Sequence, residues 1–258
     1  MHATEYNKKI YWDSRAAAYP RPFEPSIIAK TRRRIRHLRS KGIDFAGKDF
    51  LDIGCGTGIY SLVLANVCRN VVGLDSSAAM LENFRKEMEI HGIRNASCVN
   101  VEWGAVPEKD VHKKYDIVLA SMTAAVQSCE EVLKMESAAR EWCVYIGWAG
   151  ERHNRLLEKI YSHHGVQYLP PPGCENVLAA LDKAGHKYNV EYIYDSWFKV
   201  KTVEDTIEDL KVNMQVNDSS LDLPWTKNLL EKRASRTKGG MVWQKTRVRK
   251  AIIVWKPQ

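Results

Sequence analysis

The sequence predicts an α/β fold: a mostly parallel sheet with helices on both faces. Three observations carry this. Short apolar runs alternate with helix-period segments from residue 50 to residue 148, a glycine-rich turn joins the first run to its helix, and the second run closes on an acid. Alternating strands and helices imply right-handed crossovers between parallel neighbours. In such sheets, ligands bind outside the carboxyl ends of the strands.

Composition bounds the class. A chain of 258 residues with 45% hydrophobic and 27% charged residues can bury a sizeable core, as one large domain or one domain with a small cap. No apolar run approaches the roughly 18 residues that cross a bilayer, and residues 1–18 are polar and aromatic with no signal core. The expectation is a cytoplasmic protein with no membrane partner. The six cysteines, at 55, 68, 98, 129, 143 and 174, include no Cys-x-x-Cys, so no zinc or iron–sulfur spacing is present and no metal is expected. A formal net charge of +8 fits nucleic acid, an acidic small molecule, or solubility alone.

Residues 5–19 predict a helix ending before Pro20, and its aromatic residues suggest that it packs over something. Pro20, Pro22 and Pro25 force an extended link. Residues 25–40 form an amphipathic helix with Ile27, Ile28, Thr31, Ile35 and Leu38 on one face and Lys30, Arg32, Arg33, Arg34, Arg36 and Arg39 on the other. That cationic face suits either solvent or RNA phosphates.

The chain is organised around residues 49–65. Phe50, Leu51 and Ile53 suit a buried strand, Gly54, Gly56 and Gly58 make a turn, and residues 61–65 begin a helix. Such a unit would hold a ligand at a helix N-terminus. Strands follow at 71–75, 96–103, 115–121 and 142–148, with helices at 78–91 and 129–140 between them. Beyond lie a helix at 152–164, a rigid Leu169-Pro-Pro-Pro-Gly link, a helix at 175–183 and a strand at 188–200. An acidic amphipathic helix at 203–212 and a basic stretch at 225–238 precede the last strand, 241–255.

Glycine spacing separates two kinds of nucleotide site. A dinucleotide site wants Gly-x-Gly-x-x-Gly, but here the third glycine is Gly58 and the position that pattern needs holds Ile59. No Gly-Lys-Ser or Gly-Lys-Thr is present, which excludes a P-loop. Leu51-Asp-Ile-Gly-Cys-Gly-Thr-Gly58 resembles the first motif of the class I S-adenosylmethionine-dependent methyltransferases. Val71-Val-Gly-Leu-Asp-Ser-Ser-Ala-Ala-Met-Leu81, Lys114-Tyr-Asp-Ile-Val-Leu119 and Leu181-Asp-Lys-Ala-Gly185 are similar to its later motifs, so the likeness spans residues 46–200.

The resemblance implies a Rossmann-like methyltransferase fold: a mostly parallel, seven-stranded sheet with an antiparallel last strand. The cofactor it implies is S-adenosyl-L-methionine, with S-adenosyl-L-homocysteine as product. Gly54, Gly56 and Gly58 would admit its methionine moiety, while Asp52 would hold the amino group or fix the loop. Asp75 would accept both ribose hydroxyls, followed by Ser76, with Met80 packing below. Glu102 and Trp103 occupy the adenine position, where Trp103 would add a backbone N–H and an apolar surface; Ser121 would meet the sulfonium region, and Trp12 and Tyr19 resemble a lid. The whole chain reads as a single methyltransferase domain: lid helices at 1–45, a cofactor-binding core at 46–200, an insertion at 201–240 serving as cap or dimer contact, and the last strand at 241–258.

In-line methyl transfer needs a general base only where the acceptor carries a proton. The candidates are His153, His163, His164 and, more weakly, Tyr145 and Asp116. The segment after the fourth strand, Ser121-Met-Thr-Ala-Ala-Val126, lacks the proline motifs of base methylases, which disfavours nucleic acid and favours a small-molecule acceptor. An RNA methyltransferase, a non-catalytic adenosylmethionine-binding scaffold and, last, a nicotinamide oxidoreductase are the alternatives. The protein is expected to be a monomer or homodimer.

Overall fold

The computed structural model describes residues 5–170, 173–237 and 239–258. Its strands are β1 (Asp49–Ile53), β2 (Asn70–Asp75), β3 (Ala96–Asn100), β4 (Tyr115–Ser121), β5 (Ala139–His153), β6 (Tyr188–Lys201) and β7 (Val242–Trp255). The helices before β4 are α1 (Glu5–Arg15), α2 (Pro25–Ser40), α3 (Ser61–Leu64) and α4 (Ala78–Ile90). After it come α5 (Cys129–Ala138), α6 (Arg155–His163), α7 (Cys174–Lys183), α8 (Val203–Val216) and α9 (Leu223–Ala234). None of the described helices is long and apolar enough to cross a membrane.

The seven strands lie in the order β3-β2-β1-β4-β5-β7-β6, with the last strand antiparallel, as expected of the Rossmann-like methyltransferase fold. Strand β1 pairs in parallel with both β2 and β4, so the order reverses at its carboxyl end. Ile53 lies opposite Leu74 on one side and Ala120 on the other, which brings three strand ends to one edge. Helices on both faces explain why β1 and β4 are apolar almost throughout.

Several boundaries differ from the sequence reading. The regular part of α3 is a single turn, so the glycine turn is not followed by a long helix. Strand β3 ends at Asn100, leaving Glu102 and Trp103 beyond it. Strand β5 continues to His153, where Arg249 of β7 pairs with Glu151 at 2.9 Å. Helix α8 runs four residues further than its acidic face suggests, because Val203, Ile207, Leu210 and Met214 keep one buried stripe to its end. The basic stretch becomes α9, capped by Asp222, whose carboxylate accepts from the Trp225 N–H at 3.1 Å. Its many cations masked the apolar face. Residues 1–4, Pro171, Pro172 and Lys238 of the segments named above lie outside the described residues.

The chain divides into two compact units. One comprises Trp12–Ala149, Pro172–Tyr192 and Ala251–Gln258; the other comprises Met1–Tyr11, Gly150–Pro171 and Ile193–Lys250. The first has a core that includes Leu51, Ile53, Val118, Met135 and Ile253. The second has its own core, in which Leu157 and Ile160 of α6, Ile207 and Leu210 of α8 and Leu230 of α9 meet Val242 of β7.

A buried carboxylate closes the first unit. Glu136 of α5 accepts from Trp255 Nε1 at 3.0 Å and from the Gln258 N–H at 3.2 Å, and it pairs with the buried His186 at 3.0 Å. Removing one partner of such a group leaves the others desolvated and unpaired. Glu136→Ala should therefore cost about 3 kcal/mol of unfolding free energy in a urea titration; a change within about 0.5 kcal/mol would contradict the clasp.

Candidate functional site

At the end of β1 the chain turns through Gly54, Gly56 and Gly58, with φ of 70°, 54° and 85°. Side chains are disfavoured in that region. The three glycines also differ in what surrounds them. A Cβ at Gly54 would lie 2.0 Å from Thr123 Oγ1, and one at Gly58 would lie 2.7 Å from the Phe84 ring. Those two let the protein pack on itself. At Gly56 the nearest atom is on the Tyr19 ring, 3.8 Å from the would-be Cβ, an ordinary contact, so bare main chain faces an aromatic side chain here. Cys55 between them is buried, and burial pushes its thiol pKa well up, as befits a structural residue.

Asp75, at the end of β2, ties this loop to the next turn. Its Oδ2 accepts from the Gly56 N–H and its Oδ1 from the Ser77 N–H, both at 2.8 Å. Burial raises its pKa while the two amides oppose the rise. Each carboxylate oxygen has lone-pair capacity beyond one such bond. Asp52 sits underneath, 2% exposed, and accepts from Ser61 Oγ at 2.6 Å. Of the two roles open to Asp52, loop fixing has this direct contact. Desolvation raises its pKa to about 7, with a smaller contribution from Asp75.

The last turn of α1 and the segment after it cross this turn on three pins. Ser77 Oγ donates to Asp13 at 2.5 Å, Asn83 donates to the Ala16 carbonyl at 2.9 Å, and Thr57 Oγ1 donates to the Pro20 carbonyl at 2.7 Å. Trp12 and Tyr19 meet edge to face, ring centroids 6.3 Å apart. Asp13 and Thr57 were not among the sequence candidates. The signal for Asp13 is its place in the Tyr-Trp-Asp-x-Arg-Ala run that resembles a lid.

On the other side, Ser121 ends β4, and Met122 follows with φ of 52°, its N–H donating to the Ile146 carbonyl at 2.6 Å. A positive φ at a non-glycine residue is held only where its surroundings dictate it. Tyr60 lies near Ser121 and Arg34 of α2, which oppose the rise in its pKa that desolvation leads. Met80 is buried beneath α4, and the Ser76 carbonyl accepts from Asn100 at 3.0 Å. Glu102 is exposed. Trp103 is 1% exposed, its indole donating to the Glu131 carbonyl at 3.2 Å under the Lys134 ammonium. Its ring therefore belongs to the core and offers no outward apolar surface, which corrects that part of the expectation.

Two of the candidate bases, Asp116 and Tyr145, are unsuited to that role. Asp116 starts β4, at the opposite end of the strand, where Arg140 donates to it at 2.8 Å. Burial works against its charge, but Arg140 and the Asp49 amide hold its pKa below the usual value. Tyr145 is buried in β5, and desolvation pushes its phenol far above neutral pH, which rules it out as a base. His153 and His163 belong to the second unit. His153 is exposed on the last residue of β5. His163 pairs with Asp222 at 3.0 Å and stacks on Trp225 at 3.7 Å. His164 is held at both ring nitrogens, by the Ile160 carbonyl and the Asp222 N–H. These two histidines fasten α6 to α9.

Known proteins resolve the family. A family model described as a methyltransferase domain matches residues 44–157. The ubiquinone biosynthesis O-methyltransferase of Bordetella avium is 31% identical over 188 residues, covering 68% of this chain and 71% of that protein.

The chain belongs to the class I S-adenosylmethionine-dependent methyltransferase family.

An uncharacterized protein of Haemophilus influenzae is 24% identical over 166 residues, 64% of this chain and 61% of that one. This methyltransferase-family chain spans 61–64% of the length of the Haemophilus influenzae and Actinobacillus pleuropneumoniae relatives it matches. Among solved structures, the YcgJ protein of Bacillus subtilis has a TM-score of 0.54 at 12% identity, covering 86% of this chain and 97% of that one; this likeness concerns the fold. The matched span contains the glycine turn, Asp75 and Ser121, and it excludes Trp12 and Tyr19.

The buried Asp52 makes stability depend on pH. Its carboxyl loses a proton near 3.8 when unfolded and near about 7 when folded, so between those values the folded state holds the extra proton. Stability contributed there is present at low pH and falls as pH rises through the window. Asp52→Asn removes this dependence and keeps an acceptor for Ser61. Guanidinium unfolding should show the variant gaining on the wild type by a few kcal/mol between about pH 4 and about pH 8; parallel pH profiles would contradict the assignment.

Proposed function

We propose that this chain is an S-adenosylmethionine-dependent methyltransferase acting on a small-molecule acceptor by in-line transfer. One observation carries the reading: the Asp75 carboxylate is fixed by the Gly56 amide at a strand end, where bare main chain faces the Tyr19 ring. A carboxylate held by two amides and still able to accept suits a pair of ribose hydroxyls. The residues present fit the cofactor. When bound, the cofactor would supply an electrophilic methyl group on a sulfonium.

This chain's own residues would bind, orient and exclude water. Asp75 would take the ribose, the amides of the glycine turn would face the methionine moiety, and the exposed Glu102 would reach the adenine amine. Trp12 and Tyr19 would shield that moiety from solvent. Ser121, with the Tyr60 hydroxyl beside it, would orient the acceptor at the head of β4. Positioning and water exclusion can supply much of the acceleration with no general base, provided the acceptor arrives deprotonated. A small acceptor is supported by two features: the loop after Ser121 has no proline for stacking a flipped base, and the Bordetella avium relative is named for an O-methyl transfer in ubiquinone biosynthesis.

Two measurements test this. Calorimetry should detect adenosylmethionine binding, weakened about 100-fold in Asp75→Ala through loss of two hydrogen bonds to a charged group; no binding by the wild type would sink the reading. With labelled adenosylmethionine and cell extract, label should enter the small-molecule fraction and resist ribonuclease. Label recovered only in RNA would overturn the acceptor class while leaving the cofactor assignment standing.

A further inference from the structure

The net charge of this protein is concentrated. Residues 225–250 carry nine Lys or Arg and one acid, Glu231, so this segment alone accounts for a charge of +8, equal to that of the whole chain. In the structure it forms most of α9, the turn after it and the greater part of β7, all within the second unit.

Strand β7 has two unlike faces there. Val242, Gln244, Thr246 and Val248 are buried; Val242 packs into the core with α6, α8 and α9, and Thr246 accepts from Asn154 at 2.9 Å. The alternate residues Trp243, Lys245 and Arg247 point the other way and are exposed. The Lys245 ammonium lies 5.2 Å from the centroid of the Phe198 ring on the neighbouring strand β6, which puts Phe198 on the same face. By the two-residue period of a strand, Tyr194 and Val200 share it. Tyr194 is 75% exposed, Phe198 59% and Trp243 49%. The face is a sheet surface bearing three aromatic rings with cations between them. Arg249, the next residue of that face, is paired with Glu151 at 2.9 Å.

An exposed aromatic sheet face selects its partner by charge. A second copy laid face to face would set Lys245 and Arg247 against their own counterparts. A hydrocarbon surface would have to bury those same cations, which stand between the rings and not around them. A strand that is both polyanionic and studded with flat rings satisfies every element: bases stack on the aromatic rings, and phosphates meet the interleaved cations. Neighbouring same-face positions along a strand are about 7 Å apart, a spacing that extended nucleotides can follow. Lys245 would yield its place over Phe198 to a base and turn its flexible stem toward the phosphate.

We propose that the β6–β7 face of the second unit binds single-stranded RNA, as a partner separate from the methyl acceptor. Tyr194, Phe198 and Trp243 form the stacking platform, and Lys245 and Arg247 neutralise the backbone. Binding needs no sequence preference, because every base has a ring face.

The test is fluorescence anisotropy of a labelled oligouridylate of about 12 nucleotides with the full chain, over a range of salt. Affinity should fall linearly with salt on logarithmic axes. Lys245→Ala and Arg247→Ala should each reduce that slope by about 0.7. The double variant Phe198→Ala, Trp243→Ala should weaken binding about tenfold or more at fixed salt. These side chains are exposed, and an unchanged circular-dichroism spectrum and thermal midpoint would show that the variants remain folded. Four results would overturn the proposal: no binding at low salt, duplex RNA binding as tightly as single strands, equal affinity in the double variant, or capture by anionic vesicles with no affinity for the oligonucleotide. Self-association of the wild type that the double variant abolishes would instead assign the face to a second copy.

Discussion

The hydrogen bond from the Gly56 amide to the Asp75 carboxylate is the constraint on which the rest of the site depends. It joins the turn after β1 to the end of β2, two elements brought side by side by parallel pairing. In the same turn Gly56 adopts a positive φ, and Gly54 and Gly58 let Thr123 and Phe84 pack closely against the main chain. The same carboxylate receives the Ser77 amide, and the Ser77 hydroxyl in turn holds Asp13 of the segment that crosses above. One strand-end acid thus fixes the floor, the next turn and, through Ser77, the cover. Its raised pKa is the electrostatic counterpart of that enclosure, a charge kept in a desolvated place by two amides.

Much of this was legible in the sequence because it rests on local rules. Alternating apolar and helix-period segments give a parallel sheet, and glycines at alternate positions after an apolar run give a turn that most side chains would strain. The seven-stranded sheet with its antiparallel last strand follows the family resemblance, while the strand order is read from the structure. What escaped detection depends on tertiary context. Helix α9 was hidden because its exposed faces are crowded with lysine and arginine, and its apolar positions acquire meaning only against Val242 and Leu210. Asp13, Thr57 and Tyr60 make contacts with residues distant in sequence, which no spacing reveals.

The histidines illustrate the opposite error. Residue type and position after the fifth strand favour His163 and His164 as bases, yet His163 Nε2 pairs with Asp222 under a stacked tryptophan, and His164 is held at both ring nitrogens by the Ile160 carbonyl and the Asp222 N–H. They serve the packing of α6 on α9. Asp116 fails for a topological reason, since it begins a strand whose far end faces the site. With these removed, the chemistry proposed for this chain rests on positioning, and the weight falls on how the donor is held.

A crystal structure with S-adenosylhomocysteine tests that claim most directly. The account predicts the ribose hydroxyls on the Asp75 carboxylate, the homocysteine moiety along the glycine turn beneath Tyr19, and the sulfur directed toward Ser121. A ribose bound away from Asp75, with the Gly56–Asp75 hydrogen bond intact and the turn empty, would contradict it.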